Sequence, residues 1–301
     1  MTTAPQEPPR PPSPGPVRAR DLIALGKPRV SALVVATCGG GLLLAPQRPS
    51  LSTALLTLAG TLLVVAGANA LNMFIERDSD RRMQRTRDRP LPARRLAPWV
   101  AVAFGLTLAA ASLPVLALGA NLLTAALGLG AFVAYVFLYT PLKRHTPLAI
   151  FVGAVPGAAP PVMGWTAATG GLDQTAAALF ALLFLWQVPH FLAIAIVRGE
   201  DYRSAGLKVA RPPEGIRRSQ IEGLFCLVAL VPVTVGLHLQ GVAGGAYLAV
   251  ALIADAVFLA WGLYGLLAPV DGSWARRLFL ISLAYLPIIF FALALDANRP
   301  R

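Results

Sequence analysis

Charge is the scarcest resource in this chain. Only 13% of its 301 residues are Asp, Glu, Lys or Arg, while 56% are hydrophobic. Ordinary soluble domains carry about 25% charged residues, and a disordered chain is poor in apolar ones. Both classes are therefore excluded, and the mean hydropathy of +0.65 agrees. Acidic charge is the scarcer sign, with 14 acidic against 26 basic residues and a net charge of +12. A nucleic-acid-binding protein shows such an excess as a basic face on a polar body. Here the basic residues lie between long apolar runs. Cysteine is nearly absent. Cys38 and Cys226 both sit inside apolar segments, which excludes a secreted disulfide framework and leaves packing as their role.

Residues 1–16 hold seven prolines and almost nothing to bury. They read as the core of a Pro-rich, disordered cytoplasmic tail extending to about residue 20, ahead of one transmembrane domain over residues 21–301. No short apolar stretch with a small-residue cleavage site follows, so the tail does not read as a secretory signal. A membrane-spanning helix needs about 20 apolar residues. Nine runs approach that length, at 24–46, 51–75, 97–118, 120–139, 147–166, 175–197, 220–240, 243–267 and 277–296. The expected fold is all-α: a polytopic membrane bundle of about nine transmembrane helices around a central cavity. Placing the N-terminus in the cytoplasm puts 23 of the 26 basic residues on that side, as the positive-inside rule requires. Only Arg48, Arg299 and Arg301 fall outside. One span more or fewer would scramble this alternation.

The fifth run, TPLAIFVGAVPGAAPPVMGW, contains Pro156, Gly157, Pro160, Pro161 and Gly164. It is expected to kink or break, either as a bend for packing or as the wall of a cavity.

Charges of both signs collect in two long cytoplasmic loops, after the second and the sixth spans. Asn72, Glu76 and Asp80 are spaced i, i+4, i+8 and share a helical stripe, which Asn69 extends upward. Hard oxygen donors facing one way suit Mg²⁺, which takes one or two carboxylates together with substrate phosphates. Arg81, Arg82, Arg85, Arg87 and Arg89 follow at once and suit a polyphosphate, although an ordinary positive-inside loop would carry arginines too. Polar groups at the end of an apolar span are costly without partners or a task. Asp78 points off the stripe, toward pairing with Arg81 or Arg82. The second loop brings Glu200, Asp201 and Tyr202. Before it, LFLWQVPHFLAIAI places His190 inside an apolar helix, either as a hydrogen-bonded core residue or as a haem or substrate contact. YTPLKRHTP ends the fourth span with Tyr139, Lys143 and Arg144 on the same side. That Lys-Arg pair is a topology signal or a phosphate-binding pair.

N-x-x-x-E-x-x-x-D followed by R-x-M-x-R-T-x-x-R-P-L resembles the first signature of the UbiA-type intramembrane prenyltransferases. ERDSDRRMQRTRDRPLP, YTPLKRHTP, the Pro-Gly-rich run, WQVPHFLAIAI and EDYRSAG are, in this order, similar to the branch of that family that farnesylates protohaem IX. The resemblance covers roughly residues 20–290. It implies farnesyl diphosphate as donor, Mg²⁺ as metal, haem B as acceptor and haem O as product, in a bacterial-type inner membrane with the site toward the cytoplasm. A haem A synthase or oxidase-assembly partner would receive the product. By motif, Asn72, Glu76 and Asp80 would hold Mg²⁺–diphosphate, with Asp201 facing them from the second half as a further metal ligand. Arg85, Arg89, Lys143 and Arg144 would take phosphate oxygens, with Tyr139 beside them, and His190 would contact haem. The chain departs from the branch after Ala205-Gly206. A Pro-Met-Leu-Pro-like run is expected there, and Leu207-Lys208-Val209-Ala210-Arg211 stands instead. It also lacks the second D-x-x-x-D of relatives that prenylate phenolic quinone precursors. An ion-coupled transporter is the rival of a different class, and Asp255, inside the eighth run, is its best feature.

Overall fold

A computed structural model describes residues 17–267 and 272–297. The predicted tail over residues 1–16 lies outside them, and helix already begins at Ala19. The first span is a bent pair, α1 (Ala19–Leu25) and α2 (Pro28–Leu44), turned by 51°. Then come α3 (Leu51–Arg82), α4 (Pro98–Gly119) and α5 (Leu122–Val133). A π-helical turn over Ala134–Tyr139 and the short α6 (Thr140–Leu142) continue α5. The second half holds α7 (Ala149–Thr169), α8 (Gln174–Val197), the short α9 (Gly199–Ser204), α10 (Ile216–Leu239), α11 (Gly245–Leu267) and α12 (Gly272–Leu295). Arg276 and Arg277 lie in the first turns of α12.

Seven of the predicted spans are single helices long and apolar enough to cross a bilayer, and the bent pair supplies an eighth. The fifth predicted run, α7, is long enough, but its Pro, Gly and Thr residues dilute its apolarity below that of the others. Large apolar side chains such as Leu55, Phe225, Ile253, Phe291 and Leu295 face outward. Such a surface suits lipid rather than water, and the chain is a multi-pass membrane protein.

Between lipid-embedded helices, close backbone approach replaces the hydrophobic effect as the source of attraction. The α2–α7 contact illustrates this. A Cβ on Gly41 would collide with the Pro161 carbonyl, and one on Gly164 with the Cys38 carbonyl. This packing also answers the expectation of a break in the fifth run: α7 stays helical through Pro156, Pro160 and Pro161. Most of its residues are buried, so neighbouring helices hold the shape that its missing N–H groups cannot. The neighbour relations α2–α7, α7–α8, α8–α12 and α12–α2 close a ring of four helices. The loops after α3 and α8 lie at one end of the bundle, called here the basic end.

Candidate active site

The site is built on the last turns of α3, where Asn72, Glu76 and Asp80 are all buried. Each oxygen group meets a basic side chain from a different segment. Lys27 Nζ donates to Asn72 Oδ1 at 2.7 Å. Lys143 forms an ion pair with Glu76 Oε1. Arg89 Nη1 donates to Asp80 Oδ2 at 2.7 Å.

Local structure explains each partner. Lys27 occupies the break between α1 and α2, at φ 48° and ψ 65°. This left-handed conformation costs a non-glycine residue about 1–3 kcal/mol. Pro28 follows as the first helical residue of α2, where its missing N–H is harmless. The buried Gly26 carbonyl accepts from Ser31 Oγ at 2.6 Å and Asn69 Nδ2 at 3.3 Å. Asn69, expected to extend the acidic stripe, instead holds the break that presents Lys27. The loop after α3 is strapped to α1 by Arg95 Nε donating to Asp21 Oδ1 at 2.9 Å.

Asn72 is oriented by Thr140. The Thr140 hydroxyl gives its one proton to the Tyr135 carbonyl at 2.8 Å and accepts from Asn72 Nδ2 at 3.0 Å. That leaves Oδ1 for Lys27 or for a metal ion. The Tyr135 carbonyl, which also accepts from Thr140 N, belongs to the π-helical turn, a feature often found at functional sites. Arg89 is set by the turn that ends α3, where Thr86 Oγ1 donates to the Asp80 carbonyl at 2.8 Å.

Lys143 lies just past α6, with its ammonium 4.6 Å from the centre of the Tyr139 ring. Burial pulls its pKa down, but the Glu76 carboxylate and the nearby tyrosines outweigh burial and hold it above the ordinary lysine range. It therefore stays a cation. Its carbonyl accepts from Val209 N at 3.0 Å. Here the segment that departs from the expected pattern finds its place: Leu207, Val209 and Ala210 are buried in a cluster with Met83, Ala149 and Ile150. Arg211 anchors it by donating two hydrogen bonds to the Glu222 carboxylate, at 2.6 and 2.8 Å.

Other expected residues stand apart. Arg85 is exposed. Arg144 is exposed as well, and its guanidinium donates to the Ile75 carbonyl at 2.9 Å. Asp78 pairs with Arg77 rather than with Arg81 or Arg82, at a loose 3.9 Å. Asp201 is half-buried on α9, where its backbone carbonyl accepts from Ser204 Oγ and Ala205 N, and its carboxylate has no hydrogen-bond partner among the described residues. Among the described residues, no three His, Cys, Asp or Glu side chains gather closely enough to share a metal ion. The expected meeting of Asp201 with Glu76 and Asp80 is therefore not present. His190 lies on α8, bonded to Ser282 of α12 at 2.7 Å.

Lys27 is the functional candidate that the sequence reading missed. It is one of the 23 basic residues on the expected cytoplasmic side, and a lysine before Pro28 inside an apolar run already signals a break. The donor set fits Mg²⁺, because amide and carboxylate oxygens are its preferred ligands. Glu76 Oε1 is buried against the Lys143 ammonium, so this hard donor is held by a cation whose place a metal ion can take.

The UbiA prenyltransferase family matches residues 33–284. The protoheme IX farnesyltransferase of Myxococcus xanthus (strain DK1622) is 51% identical over 281 residues, 93% of this chain and 96% of its own length. That of Anaeromyxobacter dehalogenans (strain 2CP-C) is 46% identical over 92% of this chain and 94% of its own. Among solved structures, a digeranylgeranylglyceryl phosphate synthase superposes with a TM-score of 0.80 at 17% identity, covering 93% of this chain and 98% of that one. A UbiA homologue from Archaeoglobus fulgidus bound to GPP and Mg²⁺ gives 0.65 at 17% identity, covering 91% and 99%. These two likenesses show the fold.

Proposed function

This chain belongs to the UbiA prenyltransferase family, and on that premise we propose that it transfers the farnesyl group of farnesyl diphosphate to a vinyl group of haem B, giving haem O and diphosphate. The observation that carries the reading is the pairing of Asn72, Glu76 and Asp80, one each, with Lys27, Lys143 and Arg89. A buried charge stripped of its partner is costly. Acids and cations paired in this way can exchange partners together. The oxygens would turn to Mg²⁺ and the basic groups to diphosphate, so that no charge is stranded. The choice of haem as acceptor rests on the relatives at 51% and 46% identity.

Bound Mg²⁺ supplies Lewis-acid stabilisation of the leaving diphosphate. The rest falls to the chain. Lys143 and Arg89 neutralise charge growing on the phosphate oxygens, and Lys27 adds a third donor. Asp201, which does not meet Glu76 and Asp80 in this structure, would complete the metal's shell if α9 turned its carboxylate toward α3. Arg85 and Arg144 stay at the rim and steer the anion inward. Apolar helix walls keep water from the allylic cation. The electron-rich vinyl group attacks the farnesyl C1, and one water quenches the porphyrin-side cation to leave a hydroxyethylfarnesyl group. No enzyme nucleophile is needed. The basic end faces the cytoplasm of a bacterial-type inner membrane, and haem A synthase or an oxidase-assembly protein takes the product.

The test is to incubate membranes containing the protein with farnesyl diphosphate, Mg²⁺ and haem B, then determine the mass of the extracted haem. Appearance of haem O, dependent on Mg²⁺, is expected. Unchanged haem B alongside a prenylated phenol in a parallel incubation would replace this reading with quinone-precursor prenylation.

A further inference from the structure

His190 projects from α8, one wall of the α2–α7–α8–α12 ring. It is a polar group in an apolar span, and its ring is only 9% exposed. Three contacts fix its plane. The ring stacks on Trp186, with centroids 4.9 Å apart and 22° between planes. Phe279 lies 5.0 Å away on the α12 side. Ser282 Oγ stands 2.7 Å from Nδ1, and Trp186 Nε1 donates to the Ser282 carbonyl at 2.8 Å.

The protons of this cluster can be assigned by elimination. The Ser282 hydroxyl has one proton, and its 2.6 Å bond to the Phe279 carbonyl consumes it, because a carbonyl only accepts. Both Ser282 bonds form together only if His190 Nδ1 carries the hydrogen and donates it to Oγ. Among the described residues no acid faces the ring, and an apolar span does not hold an unpaired cation, so the imidazole is neutral and Nε2 keeps its lone pair. Nε2 has no hydrogen-bond partner among the described residues, yet it is not sealed off from open space. A lone pair held in one direction, on a ring locked by a partner at its other nitrogen, is how proteins present a histidine to a metal ion. Among the described residues no carboxylate or amide oxygen is bonded to this ring, which separates it from the Mg²⁺ candidates on α3.

Resting on the proposed haem acceptor, we infer that His190 Nε2 is the axial ligand of the substrate haem iron, and that Ser282 is the positioning residue that fixes its tautomer. The neutral hydroxyl behind Nδ1 is a weaker acceptor than the carboxylate found behind many ligating histidines. It leaves Nε2 a modest base and the iron bond a modest one, which suits a haem that must leave as product. Iron ligation also fixes the plane in which the vinyl group is offered to the farnesyl carbon.

The experiment uses the full chain in lipid nanodiscs, titrated with haem B and followed by absorbance and by resonance Raman of the reduced complex. Wild type is expected to give a five-coordinate, imidazole-ligated spectrum with an iron–histidine stretching band. His190→Ala should lose that band and regain an imidazole-ligated spectrum when free imidazole is added. Ser282→Ala should keep the ligation, shift the band and bind haem about tenfold more weakly. Iron-free protoporphyrin reports folding and should bind wild type and both variants equally. A His190→Ala protein that binds protoporphyrin normally and shows the wild-type haem spectrum overturns the inference. Wild-type haem O formation, assayed on the same sample, separates the two claims. If haem O forms while the spectrum ignores His190, only the ligand assignment falls. If no haem O forms, the acceptor reading falls first.

Discussion

The two halves of this chain each bury acid, and they neutralise it in different ways. At the basic end, Glu76 and Asp80 face Lys143 and Arg89. In the second half, Asp255 faces two hydroxyls: Tyr285 donates to it at 2.6 Å, and Thr234 bonds its other oxygen. Tyr247 closes that group by donating to the Thr234 carbonyl at 3.1 Å. Hydroxyls satisfy a carboxylate but carry no charge to pass on. The Asp255 group therefore has nothing to exchange with an incoming ion and reads as a rivet joining α10, α11 and α12. The α3 group can trade every partner for metal and phosphate. This contrast also disposes of the best feature of a transporter reading, because Asp255 is fully engaged at its place in the helix packing.

The sharpest break in the comparison would come from removing one charge from each centre. Asp80→Asn is expected to lower haem O formation about 10²- to 10³-fold, the usual cost of losing one transition-state stabiliser. Asp255→Asn, assayed by the same mass spectrometry and corrected for folded protein, should stay near wild type. Equal losses would erase the distinction between the two centres. Next in size is Lys143→Met, which leaves Glu76 buried without its cation and should cost about 3–5 kcal/mol of stability. Because Mg²⁺ can replace the lost counter-charge, it should raise the melting temperature of this variant more than that of wild type. An identical Mg²⁺ response would detach Glu76 from the metal. Lys27→Met removes one charge-assisted bond, worth about 1.5–3 kcal/mol. It should raise KM for farnesyl diphosphate and leave KM for haem alone.

Much of this centre could be read from the chain itself. The i, i+4, i+8 spacing of Asn72, Glu76 and Asp80 survives folding because α3 runs unbroken to Arg82. The alternation of basic residues set the order of the spans for the same reason, since a bilayer sorts charge before tertiary contacts form. Partner choice was not legible. Five arginines follow Asp80 closely in sequence, and only the turn capped by Thr86 selects Arg89 for it. Lys27 was hidden because a break in an apolar run leaves the hydropathy of the run intact. That the fifth run stays helical was not legible, because proline's local cost is visible in sequence, whereas the contacts of Gly41 and Gly164 with a neighbouring helix are not. Asp201 matched its motif, but motif order says nothing about whether α9 turns its carboxylate toward α3.

Smaller effects sharpen the contrast further. Thr234→Val deletes one of the Asp255 hydroxyls and should cost about 1–3 kcal/mol of stability, read as a lower melting temperature, with activity per folded molecule unchanged. Loss of activity at full stability would make the rivet a functional site.

The least effect is expected at Arg85, four residues before Arg89 in the same loop. Arg89 is 23% exposed and bonded to a buried acid, whereas Arg85 is exposed. An exposed charge acts on an anionic substrate through the field it adds in solution, and salt removes that field over about 8–10 Å near physiological strength. Arg85→Ala should therefore lower kcat/KM for farnesyl diphosphate by less than about threefold at low ionic strength, since exposed charges are worth about 0–1 kcal/mol. The deficit should vanish as salt is raised. The deficit of Arg89→Ala should persist in the same series, because its partner is shielded from solvent ions. If both deficits fade together, the boundary between inner shell and rim has been drawn in the wrong place.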